Sequence, residues 1–382
     1  MSAGDIAVVL GTRPEIIKLA PVIRALGERA WVIHTGQHYD DELAGQYFRE
    51  AGIGLPETVL DGIGGLSRGE QIGYGILGLT ELFAVRRPRM VLVQGDTNTV
   101  AAAAQAAQYA GIPVGHVEAG LRSGDRGMPE EVNRILTGTL ADVHFAPTET
   151  SANNLLREGV PRDQIAVTGN TVVEATIDGL RRAEPPSAKL FPSGVVPDQY
   201  AVATLHRPEN TDTEPALRRV LEALAALPLP VVLLLHPRTR AAVDRFKLTA
   251  LLARLVVLDS MPPAAFLGLV ADAAVVVSDS GGLQEECTVL KVPLAVIRRS
   301  TERPEAIDAG FARLVLPSRD IVTEVSWLLT DRQLRERLAR TPSPFGNGTA
   351  SAHIASISRG IADGDDVPSA IRATQLIAAT AA

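Results

Sequence analysis

The chain has 382 residues, 46% of them hydrophobic and 21% charged, which excludes a disordered chain or a low-complexity fibre and allows a large buried interior. With 37 basic against 44 acidic residues the net charge is −7, and no Lys/Arg-rich stripe interrupts it, so a nucleic-acid surface is not expected. A single cysteine, Cys287, excludes a disulfide framework and any multi-cysteine zinc site and fits a reducing compartment.

In chain order, short apolar runs alternate with longer helical patterns. Strands are predicted at Ile6–Leu10, Trp31–Thr35, Met90–Gln94, Val114–Val117, Val143–Ala146 and Ile165–Val167. Most are apolar throughout, the mark of strands covered on both faces. Helices are predicted over Pro14–Glu28, with proline near its first position, and over the Ala-rich Thr99–Ala110. The proline-rich segment 184–199 reads as a connection, after which strands resume at Tyr200–Thr204, Val231–Leu235, Val256–Leu258, Ala274–Ser278, Leu294–Ile297 and Leu314–Leu316. The expected fold is therefore α/β, with two Rossmann-like doubly wound domains at 1–183 and 184–364, followed by a helical tail at 365–382. In such folds ligands bind beyond the carboxyl ends of the strands, and a cleft between the domains is the expected active site. The N-terminus lacks a basic segment followed by a long apolar run, and no window approaches a membrane span, so the cytoplasm is the expected location.

The residues at the strand ends carry the chemistry. After the first strand, Gly11-Thr12-Arg13-Pro14-Glu15 opens a helix bearing Lys18, a place where an anion can be received. Neither a dinucleotide fingerprint nor a P-loop spacing is present, which argues against a bound nicotinamide. Asp96 and Glu118 follow the third and fourth strands, and Glu130 opens the next helix. Carboxylates at the same mouth of a sheet raise one another's pKa, which suits acid and base work near neutral pH. In the second half, His206 and His236 end the first two strands beside Arg207 and Arg238, placed for an anion pocket or a proton relay. Ser280-Gly281-Gly282 then opens a helix whose N-terminus suits a diphosphate, with Glu286 one turn on to accept from ribose hydroxyls. Thr301-Glu302-Arg303-Pro304-Glu305 is a further polar cluster after an apolar run. No His or Cys spacing fits a metal, so a metal-independent and cofactor-free site is expected.

Taken together, Gly11-Thr12-Arg13-Pro14-Glu15, Gly95-Asp96-Thr97, His116-Val117-Glu118-Ala119-Gly120-Leu121-Arg122, Pro129-Glu130-Glu131-Val132-Asn133-Arg134, Thr168-Gly169-Asn170-Thr171, His206-Arg207, Asp279-Ser280-Gly281-Gly282 and Thr301-Glu302-Arg303-Pro304-Glu305 resemble the non-hydrolysing UDP-N-acetylglucosamine 2-epimerases. The resemblance implies a glycosyltransferase-B-like fold, usually a homodimer, that interconverts UDP-GlcNAc and UDP-ManNAc by eliminating UDP to a 2-acetamidoglucal and adding it back. By motif, Asp96, Glu118 and Glu130 match the acid/base carboxylates, and His206 matches the histidine beside the departing diphosphate. Arg13, Lys18, Arg134, Ser280, Gly281 and Gly282 match phosphate or sugar contacts and Glu286 the ribose-binding glutamate, with His236 and Arg303 completing the expected substrate site.

Two departures bear on the substrate. The loop Arg126-Gly127-Met128 is shorter than in the best-known bacterial members and, with Leu205–Asn210, looks more like branches acting on modified sugars such as UDP-2,3-diacetamido-glucuronic acid. Gln37-His38 and Gln71 fall in the regions where some members bind an activating second UDP-GlcNAc. Alternatives are an epimerase of such a modified sugar, a hydrolysing epimerase, a glycosyltransferase of the same fold, and a non-enzymatic nucleotide-sugar sensor. The carboxylate trio argues against the transferase, and Glu118-Ala119-Gly120 against the hydrolase.

Overall fold

The computed structural model describes residues 4–37, 41–183, 196–259, 261–316, 319–331 and 333–381. His38 and most of the expected connection, 184–195, lie outside them. The chain divides into two compact units, residues 1–175 with 345–382, and residues 176–344.

This division differs from the contiguous domains 1–183 and 184–364 expected from sequence. The first crossing lies at the helix Val172–Arg182, before the proline-rich segment. The chain returns at Phe345, so the helix Ala350–Asp363 and the tail helix Val367–Ala381 belong to the first unit. The reason is hydrophobic: Ile354, Ile357, Ile361, Ala370 and Ile371 share one buried cluster with Ile6, Val8, Leu10 and Leu19.

The first unit holds seven strands: β1 (Ile6–Leu10), β2 (Ala30–His34), β3 (Thr58–Val59), β4 (Met90–Gln94), β5 (Val114–Val117), β6 (Val143–Ala146) and β7 (Ile165–Val167). All pairings are parallel, in the order β3-β2-β1-β4-β5-β6-β7. Successive residues of β1 enter different clusters. Ile6, Val8 and Leu10 meet the helices Arg13–Leu26 and Ala350–Asp363, while Ala7 and Val9 meet Leu79, Phe83, Val100 and Ala103. A strand buried on both sides has no polar face to show, which explains its unbroken apolar run. The two-residue β3 is the element that sequence reading missed, because Thr58-Val59 is too short to carry a period.

The second unit holds β8 (Ala201–Thr204), β9 (Val231–Leu234), β10 (Val256–Leu258), β11 (Val275–Ser278), β12 (Leu294–Ile297) and β13 (Ala312–Val315). They too are parallel, in the order β10-β9-β8-β11-β12-β13. The last strand starts two residues before the expected Leu314–Leu316, because Ala312 and Arg313 already pair with Leu294 and Ala295.

Each sheet has one place where the chain reverses its direction of winding: between β1 and β4 in the first unit, and between β8 and β11 in the second. Loops leaving the carboxyl ends of such a strand pair part to opposite faces and open a crevice there. The Gly11 and Gly95-Asp96 turns flank the first switch point, and the His206 and Asp279-Ser280 turns flank the second. No helix among the described residues is long and apolar enough to cross a membrane.

Candidate active site

In the first unit, β1 ends at Gly11 because nothing larger fits. A Cβ there would stand 2.1 Å from Thr99 Oγ1 and 2.3 Å from Thr35 Oγ1, two hydroxyls that are themselves 2.7 Å apart. The turn leads into the helix Arg13–Leu26, with Pro14 in its first turn, where the missing N–H costs nothing. Glu15 folds back under the turn. It accepts from Gly11 N (3.0 Å), Thr12 Oγ1 (2.8 Å) and Thr97 Oγ1 (2.9 Å) and is 1% exposed. Burial pushes its carboxyl up to about 7, against the lowering effect of the Thr12, Thr97 and Gly11 hydrogen bonds. Glu15 thus ties the β1 turn to Thr97, the N-cap of the helix Asn98–Tyr109, whose side chain also accepts from Val100 N.

Lys18, one turn along, does not stand open for an anion as its motif suggests. Its Nζ lies 2.5 Å from Glu118 Oε2, and Asn170 Nδ2 donates to the same oxygen at 3.1 Å. Glu118 is buried just beyond β5 with φ of 66°, a left-handed conformation that a non-glycine residue holds only when its surroundings dictate it. Asn170 is fixed in turn: its backbone N–H donates to the Phe345 carbonyl and its Oδ1 accepts from Val172 N.

Asp96 follows the left-handed Gly95, whose carbonyl accepts from His116 Nε2 at 2.8 Å. Arg134 donates to Asp96 Oδ2 from Nε (2.9 Å) and Nη2 (2.5 Å), and to Glu131 Oε2 from Nη1 (3.0 Å). Arg134, expected as a ligand contact, is 3% exposed and braces Asp96 and Glu131. The Asp96 carboxyl is nevertheless raised: burial pushes it up, Arg134 pulls it down, and the nearby Glu118 and Glu130 push it up again. Asp96 therefore lies within electrostatic reach of both other predicted carboxylates, Glu118 and Glu130. Glu131 folds the short loop down by accepting from Ser123 and Gly124 backbone N–H groups. Arg13 stacks on Tyr47, its guanidinium carbon 4.6 Å from the ring centre.

Gln37 and Gln71, expected near an activator site, both bond to the first turn of the helix Asn98–Tyr109. Gln37 Oε1 accepts from the Thr99 N–H and hydroxyl, and Gln71 Oε1 accepts from Asn98.

In the second unit, Asp279 at the end of β11 is fully buried and accepts from His206 N, Arg207 N and Asn210 Nδ2, and its Oδ1 lies 3.1 Å from His206 Nδ1. The ring of His206 lies 5.6 Å from that of His236, the exposed N-cap of the helix Pro237–Arg245. Burial, and then His206, hold the His236 imidazole below its usual pKa. Ser280 caps the helix Gly281–Leu290, and its N–H donates to Ser278 Oγ at 3.0 Å. A Cβ on Gly281 would stand 2.8 Å from Arg303 Nη1, whereas Gly282 faces open space. Arg303, expected in the substrate site, is 4% exposed and paired with Glu285 (2.9 Å) and Glu302 beside the Gly281 turn. Glu286 is half-buried, and Cys287 is fully buried, where burial pushes its thiol up.

Sequence reasoning passed over Glu15, Asn170 and Asp279. Asp279 has the same signal as Asp96, a carboxylate following an apolar strand. Glu15 stands three residues after Thr12, the spacing at which a helix's first turn reaches back to its own cap. Among the described residues, no three of His, Cys, Asp and Glu come close enough to hold a metal ion.

Residues 24–359 match the family model of the UDP-N-acetylglucosamine 2-epimerases. A curated relative from Methanocaldococcus jannaschii, a UDP-N-acetylglucosamine 2-epimerase, is 38% identical, covering 92% of this chain and 98% of its own. The crystal structure of the M. jannaschii enzyme with UDP-GlcNAc and UDP superposes with a TM-score of 0.83, over 92% of this chain and 98% of that one. A Pseudomonas aeruginosa relative, 34% identical over 92% of this chain and 98% of its own, is a UDP-2,3-diacetamido-2,3-dideoxy-D-glucuronate 2-epimerase.

Proposed function

Since the chain belongs to the UDP-N-acetylglucosamine 2-epimerase family, a family of isomerases, we propose that it interconverts UDP-GlcNAc and UDP-ManNAc by eliminating and re-adding UDP. The observation that supports this reading is that Asp96, at the switch point of the first sheet, feels the charges of both Glu118 and Glu130.

Inverting C2 asks for two proton-handling groups. One carboxylate takes the C2 proton, the C–H electron pair becomes the C1=C2 double bond, and the C1–O pair leaves with UDP. Return of UDP to C1 then needs a proton delivered to the other face of C2. Glu118, held against Lys18, suits the base; Asp96, its proton retained to higher pH than usual, suits the acid, with Glu130 beside it. In this reading the second unit takes the diphosphate, using the N-terminus of the helix Gly281–Leu290 with Ser280, His206 and His236, and Glu286 takes the ribose. Lys18 and Arg13 serve the first unit, while Arg134 and Arg303 act by holding Asp96 and the Ser280 turn.

Incubation with UDP-GlcNAc in D2O, followed by NMR, tests this. Deuterium at C2 together with UDP-ManNAc is the expected result, whereas free ManNAc indicates a hydrolase. An unchanged C2 sinks the assignment. The P. aeruginosa relative favours one second reading, epimerisation of UDP-2,3-diacetamido-2,3-dideoxy-D-glucuronate, which predicts C2 exchange in that sugar and none in UDP-GlcNAc.

A further inference from the structure

The second unit contains a buried aspartate that the reading above does not use. Asp279 is placed directly against His206: its Oδ1 stands 3.1 Å from Nδ1, and it accepts from the backbone N–H groups of His206 and Arg207 and from Asn210 Nδ2. Asn210 is oriented by a second bond, to the Ile297 carbonyl at 2.9 Å. The loop after β8 is therefore wrapped around one carboxylate at the end of β11.

We infer that Asp279 is a positioning residue that clasps His206 by Nδ1–H and so reserves Nε2 as the hydrogen-bond donor to the leaving diphosphate. The argument is one of donor and acceptor capacity. Backbone N–H groups and an amide N–H leave the Asp279 oxygens only accepting roles, so the His206 nitrogen facing them must carry hydrogen. The neutral ring then has a bare Nε2, and a proton gained there makes an imidazolium whose two N–H groups face opposite ways, one to Asp279 and one outward. The His206 side chain is 35% exposed, and no described protein group takes Nε2. Burial alone would push the Asp279 carboxyl up, but the bonds from His206, Asn210 and Arg207 outweigh it and hold the carboxyl below its usual range. The partner that faces His206 is thus held as an anion.

The groups facing His206 are Asp279 from β11 and His236 from the neighbouring helix, with Arg238 two residues beyond. His236 Nδ1 accepts from Arg238 N at 3.2 Å, and burial, then His206, hold its imidazole below its usual pKa. A His206 ring that carries a proton on Nε2 as well as on Nδ1 offers the departing UDP one positive donor. As UDP leaves C1, negative charge grows on its bridging oxygen, and a donor aimed there lowers the barrier.

This inference rests on the epimerase reading for its ligand but not for its geometry. Long-range 1H–15N NMR of the histidine rings in wild-type protein should show neutral His206 as the Nδ1–H tautomer. Asp279→Asn places an amide N–H against the ring, so the tautomer should switch. If the variant is folded, kcat should fall roughly 10²-fold with KM within about threefold, and His206→Gln should add little further loss in the Asp279→Asn background. A wild-type ring in the Nε2–H tautomer overturns the inference without any variant. So does a folded Asp279→Asn protein whose tautomer and kcat match the wild type. A wild type inactive on UDP-GlcNAc but with the Nδ1–H tautomer, which switches in Asp279→Asn, removes the substrate assignment and leaves Asp279 in its role.

Discussion

Lys18 Nζ sits 2.5 Å from Glu118 Oε2, and both side chains are almost fully buried, at 10% and 5% exposure. The pair joins a helix to a strand end a hundred residues away, and it holds Glu118 in a left-handed backbone conformation. Lys18→Met keeps the length of the side chain and removes its charge, leaving the buried Glu118 carboxylate with Asn170 but without the Lys18 ammonium. Breaking a buried pair from one side costs about 3–5 kcal/mol unless the remaining group is neutralised. Glu118 is therefore expected to take up a proton in the variant. The acid limb of kcat/KM against pH should move up by at least about one unit, with a matching loss of thermal stability above that limb. An unmoved limb would show that Lys18 does not set the ionisation of Glu118.

Asp96→Asn, Glu118→Gln and Glu130→Gln each remove a titrating proton and keep the shape of the side chain. Each is expected to lower turnover by roughly 10²-fold or more, and Glu130→Gln to melt within about 1 kcal/mol of the wild type's stability, whereas Glu118→Gln unpairs Lys18 and Asp96→Asn weakens the buried pair with Arg134. The three should also separate in D2O. If Glu118 removes the C2 proton from UDP-GlcNAc, its variant should lose C2 exchange from that substrate. Wild-type rates in all three would dismiss the assigned roles.

Glu15 gives a stability signal of unusual sign. Its carboxyl is raised to about 7 in the folded chain, against 4.5 when unfolded, so between these values the folded state binds the extra proton. Stability therefore falls as pH rises from about 4.5 to about 7 and is flat above, a change on the order of 3 kcal/mol. Glu15→Gln has no proton to lose. Its melting free energy relative to wild type should improve by about that amount between pH 5 and pH 8, and parallel curves across the range would refute the burial argument.

The fold was legible because parallel strands in covered sheets write themselves as short, largely apolar runs: β1, β4, β5, β6, β7, β10 and β12 have the predicted bounds. The division into units was not, because the return of the chain at Phe345 is decided by which apolar face accepts Ile354 and Ile357, and a helical period does not say which. At the site, a carboxylate after a strand was enough to mark Asp96 and Glu118. What sequence could not supply was the partner of each charge. Lys18, Arg134 and Arg303 read as anion contacts because they stand in polar motifs, yet each meets a carboxylate from elsewhere in the chain or from its own motif: Glu118, Asp96 with Glu131, and Glu285 with Glu302. Pairing across a sheet end is a tertiary fact, and burial decides it.

His116 and His144 work against Glu15 in acid. Burial holds their imidazoles down, to about 3 and about 4, from 6.5 when unfolded. His116 shows why: Nε2–H donates to the Gly95 carbonyl, and Nδ1 has no acceptor, so a second proton would be buried without a partner. Here the unfolded chain binds the extra protons, so stability is complete above about pH 6.5 and is lost as pH falls toward 4, by on the order of 3 kcal/mol per histidine. Two such losses outweigh the single gain from Glu15, and the protein should destabilise on acidification below pH 6. His116→Gln can still donate to Gly95 but cannot charge. Denaturant titrations at pH 7 and pH 4.5 should show it losing about 2–3 kcal/mol less than wild type, whereas Glu15→Gln, which forfeits the opposing gain, should lose more. Equal acid losses in wild type and His116→Gln would mean that the buried ring does not carry the acid sensitivity.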